Sequence, residues 1–183
     1  MSKVCVFLAD GFEEIEGLAV VDLLRRAAID TDMVSIMKGK EIKGGHNIVV
    51  IADKLYEEVN FAEYDMLVLP GGMPGTLNLS EHKGVVNQIQ QFAEEGKGIA
   101  AICAAPSILG DSGLLIGKKA VCYPGYESRL TGAIVTKEKI EQDQNIITSR
   151  AMGTVYEFGL AIIEKLIDKE AALKVKNLIC YNN

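Results

Sequence analysis

No tryptophan occurs in the sequence, and aromatic residues make up only 6% of it. That argues against the stacked aromatic platforms on which single-stranded nucleic acid binds. An excess of basic charge is missing as well: the net charge is −6, with Lys and Arg dispersed along the chain. A phosphate backbone calls for a basic face, so no nucleic-acid partner is expected. Apolar runs fall well short of the roughly 20 residues that span a bilayer, so no membrane partner is expected either. Histidine is reduced to His46 and His82, and both precede the cysteine singled out below. No HExxH or paired-cysteine spacing occurs, so no metal is expected. The glycines fit neither GxGxxG nor GxxxxGK[ST], which removes dinucleotide and P-loop readings and leaves no cofactor to expect.

Four cysteines are present, Cys5, Cys103, Cys122 and Cys180, with no CxxC pair. Three of them sit in apolar or strand-like runs, where cysteine behaves as a small buried hydrophobe. Met1-Ser2-Lys3 leads straight into a strand-like run, so no signal peptide is expected. A cytoplasmic location follows as the expectation.

The length of 183 residues suits one domain, taken as 1–183. Short β-rich runs alternate with helical patterns. Val4 to Ala9 is a continuous apolar run, as in a buried parallel strand. Glu13 to Arg26 carry apolar residues at helical spacing; Met33 to Met37 return to strand; and Lys43 to Ile51 suggest a hairpin at a sheet edge. Further strands are predicted at Asp65 to Leu69, Ile99 to Ile102, Lys119 to Tyr123, Ala133 to Thr136 and Asn145 to Thr148. Helices are predicted at about Glu81 to Glu95, from Ala104 to Leu109, at Thr154 to Leu166 and at Ala171 to Leu178. The β-α-β order implies a doubly wound, mostly parallel α/β sheet with helices on both faces. Ligands bind such sheets at the carboxyl ends of the strands. There the sequence places Asp10 to Glu16, Pro70-Gly71-Gly72 and Cys103-Ala104-Ala105-Pro106.

Cys103 closes one strand and opens a helix almost at once, the geometry of a nucleophile elbow. A thiol beside a helix N-terminus has a lowered pKa. A buried strand-end cysteine fits the position alone equally well; the neighbouring motifs favour a reactive thiol. Gly71 and Gly72 taken alone make a turn, but beside Cys103 their N–H groups can serve an oxyanion hole. Glu16 is either part of a solvated acidic helix start or, one turn from Glu13, an inward carboxyl with a raised pKa. His46 and His82 are expected to face solvent, which leaves no Cys-His triad unless one folds back.

Together these pieces resemble the DJ-1/ThiJ/PfpI superfamily, and more closely its DJ-1/ThiJ branch. The matching stretches are Ala9 to Glu16, Val21 to Ala27, Leu67 to Gly72, Ala100 to Pro106, Thr148-Ser149-Arg150 and Gly153-Thr154. The resemblance implies a flavodoxin-like sheet, a homodimer, and Cys103 as the elbow cysteine bonded to Glu16. It places oxyanion-type N–H groups at Gly72 and Ala104, and Gly71, Tyr123 and Arg26 on the substrate. It also implies glyoxalase or deglycase action on small reactive carbonyls such as methylglyoxal, oxidation of the cysteine to a sulfinate, and a stress-protective, chaperone-like role. Ala104 stands where the protease-like branch has His, which argues against protease activity. Tyr123-Pro124 stands where some members of the nearer branch place a His, which leaves proton transfer to Glu16 and predicts a modest rate. An oxidation-sensing or chaperone-like module using Cys103 with little or no catalysis, or a descendant that keeps only the fold, are the competing expectations.

Overall fold

The structure is a computed structural model and describes residues 2–181. In chain order the strands are β1 (Lys3–Leu8), β2 (Asp30–Ser35), β3 (Glu41–Lys43), β4 (Val49–Ile51), β5 (Lys54–Leu55), β6 (Met66–Leu69), β7 (Gly98–Ile102), β8 (Lys119–Ala120), β9 (Ile134–Val135), β10 (Ile140–Asp143) and β11 (Ile146–Ser149). The helices are α1 (Glu14–Arg26), α2 (Gly75–Glu81), α3 (Lys83–Glu94), α4 (Pro106–Asp111), α5 (Val155–Leu166) and α6 (Lys169–Leu178).

Seven strands form one sheet in the order β10-β11-β7-β6-β1-β2-β5. Every pairing in it is parallel except β10 with β11. The strand β1 shows why the sheet is covered on both sides. Its side chains alternate with a period of two. Val4, Val6 and Leu8 enter a core with Val20, Leu24, Phe158 and Ile162 of α1 and α5. Cys5 and Phe7 enter the opposite core with Val85, Ile89, Phe92 and Leu109 of α3 and α4. Both cores are shut from water, which is why the strand reads as a continuous apolar run.

The chain leaves β1 toward β2 and later returns to pair β6 against its other edge. That reversal opens a crevice at the carboxyl ends of β1 and β6, where doubly wound sheets hold ligands. The segments after β1, β6 and β7 all end there.

Some elements differ from expectation. A helix, α2, precedes the predicted one, because its Gly75-Thr76 opening after Pro74 reads as turn. His82 separates α2 from α3 with extended backbone, and its Nδ1 accepts the Val85 N–H at 3.1 Å. The ring also meets Tyr56 edge-on at 4.7 Å, so His82 is half-buried rather than solvent-facing. The polar strand β10 gives no apolar signal and was not expected. Only Lys119–Ala120 of the run at 119–123 is strand, paired with β9 outside the main sheet. Among the cysteines, Cys5 and Cys122 are buried, Cys103 is half-buried and Cys180 is exposed; all four are free thiols. No helix among the described residues is long and apolar enough to cross a membrane.

Candidate active site

The strand β7 stops at Ile102 and the next residue turns out of the sheet. Cys103 has φ 65°, a left-handed conformation that costs a non-glycine residue roughly 1–2 kcal/mol. The surroundings hold it there from both sides. Its N–H donates to the Ser149 carbonyl at 3.0 Å, and its carbonyl accepts the Tyr123 N–H at 2.7 Å. Strained, over-determined backbone of this kind marks functional positions. Behind it Ala105 is fully buried, and the Ser107 hydroxyl bonds the Ala104 carbonyl at 2.7 Å before α4 begins.

Glu16 lies in the first turn of α1 yet is only 1% exposed. It shares its helix start with Ile15, which is 48% exposed, and with Glu14, which is 3% exposed, so the apolar residue faces out and the two acids face in. One carboxylate oxygen accepts the Gly71 N–H at 2.8 Å, and the carboxyl also bonds the Cys103 side chain and the Met152 N–H. Burial raises the Glu16 pKa to about 7, against the pull of those bonds and with a further push from Glu13. This settles the choice at Glu16 in favour of the inward carboxyl.

The Cys103 thiol is pushed up, not down as expected at a helix start. Burial is the largest cause, the Glu16 charge and its hydrogen bond follow, and the Ala104 and Gly72 N–H groups oppose them. The helix that follows has only six residues, so it offers little dipole against those effects. Two negative charges in one hydrogen bond are mutually exclluded, so the pair titrates as a unit and retains a proton. When that proton sits on Glu16, its O–H points at sulfur and joins the Gly72 and Ala104 N–H groups in favouring thiolate.

Gly71 and Gly72 are required by space. A Cβ on Gly71 would lie 2.7 Å from both the Cys103 Cβ and Glu16 Oε2. Gly72 has φ +88°, and a Cβ there would collide with the Glu13 main chain. The resulting cleft has a volume of about 340 Å³ and is lined by Glu13, Glu16, His46, Gly72, Cys103, Tyr123, Ala151, Met152 and Gly153. Tyr123 is half-exposed at its mouth.

Arg26 is a correction. It ends α1, ten residues beyond Glu16, or about 15 Å at the helical rise. Its Nε donates to Asp22 at 2.6 Å on the exposed face, and it lines a separate hollow with Tyr156 and Leu178. Within the chain it does not reach Cys103.

His46 faces solvent as expected, its side chain 71% exposed, but it also borders the cleft, which the sequence did not reveal. The β3–β4 hairpin is stitched to the loop after β1: Gly11 N–H donates to the Lys43 carbonyl at 2.8 Å, and Gly45 N–H to the Phe12 carbonyl at 2.8 Å. This folds His46 onto the cleft. Its N–H donates to Glu14 Oε1 at 2.6 Å, and its Nδ1 lies 2.8 Å from Glu14 Oε2. Burial works to raise the Glu14 pKa, but the bonds from His46 and Ile48 outweigh it and hold the carboxylate low. The hydrogen bond to Glu14, then the Glu13 and Glu14 charges, raise the His46 pKa. Glu13, Glu14 and His46 bring one ligand atom each within 4.8 Å of one another. Both Glu14 oxygens are already engaged, so the cluster is a hydrogen-bonded one. Ala151, Met152 and Gly153 were also missed; the only signal was the Ser149-to-Thr154 stretch, where the Ser149 and Thr154 hydroxyls bond at 2.8 Å and the Thr154 hydroxyl accepts the Ala151 N–H at 3.2 Å.

Comparison with known proteins bears on the fold and the family. The family model described as the DJ-1/PfpI family matches residues 2–165. The Arabidopsis thaliana protein DJ-1 homolog B is 36% identical over 174 residues, covering 94% of this chain but 40% of that protein. The chain therefore spans less than half the length of that relative. The Schizosaccharomyces pombe glutathione-independent glyoxalase DJ-1 is 31% identical over 180 residues, 93% of this chain and 94% of that protein. The structure of Toxoplasma gondii DJ-1, oxidized, superposes with a TM-score of 0.96 at 33% identity, covering 100% of both chains. With that family model matching most of its length and the elbow cysteine paired to a buried glutamate, the chain belongs to the DJ-1/PfpI family.

Proposed function

We propose that this protein is a cofactor-free, Cys103-dependent enzyme acting on small reactive carbonyls, of the glyoxalase type. The observation that carries the reading is the bonded pair of Cys103 and buried Glu16, facing the Gly72 and Ala104 N–H groups in one small cleft. The name of the Schizosaccharomyces pombe relative supports it.

The chemistry needs no external oxidant. Cys103 sulfur attacks the aldehyde carbon of a 1,2-dicarbonyl, forming a C–S bond, and the carbonyl π pair moves to oxygen. Gly72 and Ala104 N–H groups hold that oxygen, and the Glu16 proton neutralises it. Glu16, now a carboxylate, takes the proton from the former aldehyde carbon to give an enediolate, whose charged second oxygen takes up the proton that the first oxygen gives up as the thioester forms. Protonation at the neighbouring carbon yields a thioester of a 2-hydroxy acid: one carbon is oxidised and the other reduced. Water hydrolyses the thioester and frees the thiol.

Incubation of the protein and its Cys103→Ser variant with methylglyoxal, following dicarbonyl loss and lactate, tests this. Lactate from the unaltered protein alone is the expected result. A titratable, intact thiol that turns over no small carbonyl would sink the reading.

A second reading treats Cys103 as a peroxide target, oxidised by two electrons to sulfenate and by two more to sulfinate. The same N–H donors and Glu16 suit its oxygens, and the oxidised state of the Toxoplasma gondii structure supports it. Peptide mapping after mild peroxide should find Cys103 modified before exposed Cys180; the reverse order rejects it. In either case we read residues 1–183 as one cytoplasmic, stress-protective domain acting as a homodimer, with apolar Ile15, Ile48 and Ile51 exposed for self-association. Size-exclusion chromatography with light scattering checks the dimer.

A further inference from the structure

We propose that His46, held by Glu14, is a catalytic proton donor that fits the site to 1,2-dicarbonyls rather than simple aldehydes. The inference rests on the glyoxalase reading and deepens it.

The argument starts from the bonding of the two ring nitrogens. Nδ1 lies 2.8 Å from a Glu14 oxygen while the same carboxylate accepts the His46 main-chain N–H at 2.6 Å. Those two bonds fix the ring in one orientation and place the Nδ1 proton toward Glu14. Glu14 is itself buried, 3% exposed and packed against Gly44. The remaining nitrogen, Nε2, belongs to a side chain that is 71% exposed, and the residue lines the same cleft as Cys103 and Glu16. A carboxylate-oriented imidazole with one free nitrogen beside a nucleophile is the arrangement of a general acid or base.

The titratable groups facing His46 are Glu13 just before α1 and Glu14 at its start, with Glu16, Cys103 and Tyr123 lining the same cleft. The near carboxylates favour the imidazolium, the form in which Nε2 carries a proton. In the adduct, the oxyanion at the first carbon faces Gly72 and Ala104. The second carbonyl oxygen is the atom those two N–H groups do not hold. Its protonation by His46 Nε2–H, as Glu16 removes the carbon-bound proton, forms the enediol with no charge left on oxygen. On collapse to the thioester, Glu16 gives its proton to the second carbon and the first-carbon O–H proton is released to solvent, from which the imidazole is recharged. The proton given by His46 stays as the product's hydroxyl. A monoaldehyde has no second oxygen and gains nothing from this group.

The test compares His46→Gln, His46→Lys and Glu14→Gln with the unaltered protein, measuring lactate from methylglyoxal across pH together with a thermal midpoint to check folding. Removal of a general acid is expected to lower kcat/KM on the order of a hundredfold in His46→Gln. The unaltered protein should lose activity as pH rises through the His46 pKa, and that limb should move to lower pH in Glu14→Gln. His46→Lys should not restore the rate. A folded His46→Gln variant with unchanged rate and alkaline limb overturns the inference while the Cys103 reading stands. Full rescue by His46→Lys also overturns it, because charge alone would then suffice. No lactate from the unaltered protein removes the Cys103 reading itself, and this inference with it.

Discussion

The Glu16 carboxyl and the Cys103 thiol are joined by a hydrogen bond inside the cleft; that bond and the Glu16 charge tighten the thiol's hold on its proton, while the same bond loosens the carboxyl's, which burial keeps high. Neither residue has its ordinary acidity, because burial disfavours the charged form of each and the two cannot ionise independently. The buried carboxyl, with its pKa near 7, can give and take a proton at neutral pH, which a surface glutamate cannot do.

Glu16→Gln should uncouple stability from pH. The folded-state pKa is raised from 4.5 to about 7, so the folded protein keeps a proton that the unfolded chain has released. Stability is therefore greatest below the unfolded value and falls as pH rises through the folded one. The amide can still accept the Gly71 N–H but cannot ionise. Urea midpoints at pH 4.5 and pH 7.5 should differ less in the variant than in the unaltered protein, while lactate formation falls about a hundredfold or more.

Gly71→Ala should abolish turnover and cost about 1–3 kcal/mol of stability. The added methyl would meet both Cys103 Cβ and Glu16 Oε2 at 2.7 Å, so the two reacting groups must part. Steady-state rates together with a denaturation curve check this; a variant with normal kcat and normal stability would contradict the geometry.

Tyr123→His should raise the rate. Tyr123 lines the cleft and holds the elbow through its main chain, not its ring. An imidazole can occupy that place without disturbing the Cys103 backbone, and it shuttles protons near neutral pH where a phenol does not. Methylglyoxal turnover at pH 7 should increase several-fold, with the thermal midpoint little changed.

His82→Ala should cost about 1 kcal/mol, the usual value of a helix N-cap. Its Nδ1 accepts the Val85 N–H at the start of α3, and its edge contact with Tyr56 is lost as well. A lowered thermal midpoint with unaltered turnover is expected; His82→Asn, which can cap, should recover most of the loss.

How much could be read beforehand follows from which residues carry local signals. The strands β1, β6 and β7 were legible because both faces are buried and the apolar run is unbroken. Cys103 was legible as an elbow because a strand and a helix start abut there. Its acidity was not, since that depends on burial and on a carboxyl contributed by a distant helix. His46 lies in a polar, glycine-rich turn, where sequence pattern says only that solvent is near. Its place is set by hydrogen bonds between Gly11, Phe12 and the hairpin, contacts that leave no periodicity. Arg26 erred the opposite way: it belongs to a matching stretch, but a straight helix carries it from the cleft.

The main chain of Cys103 is clamped between Tyr123 N–H and the Ser149 carbonyl, while its proton partner comes from near the amino terminus. No fragment of the sequence contains all of these. The nucleophile's reactivity is thereby a gauge of whether the whole domain is intact: catalytic loss in rising denaturant should trace the same curve as loss of secondary structure, the signature of a single cooperative transition. Damage anywhere in the core would silence the thiol.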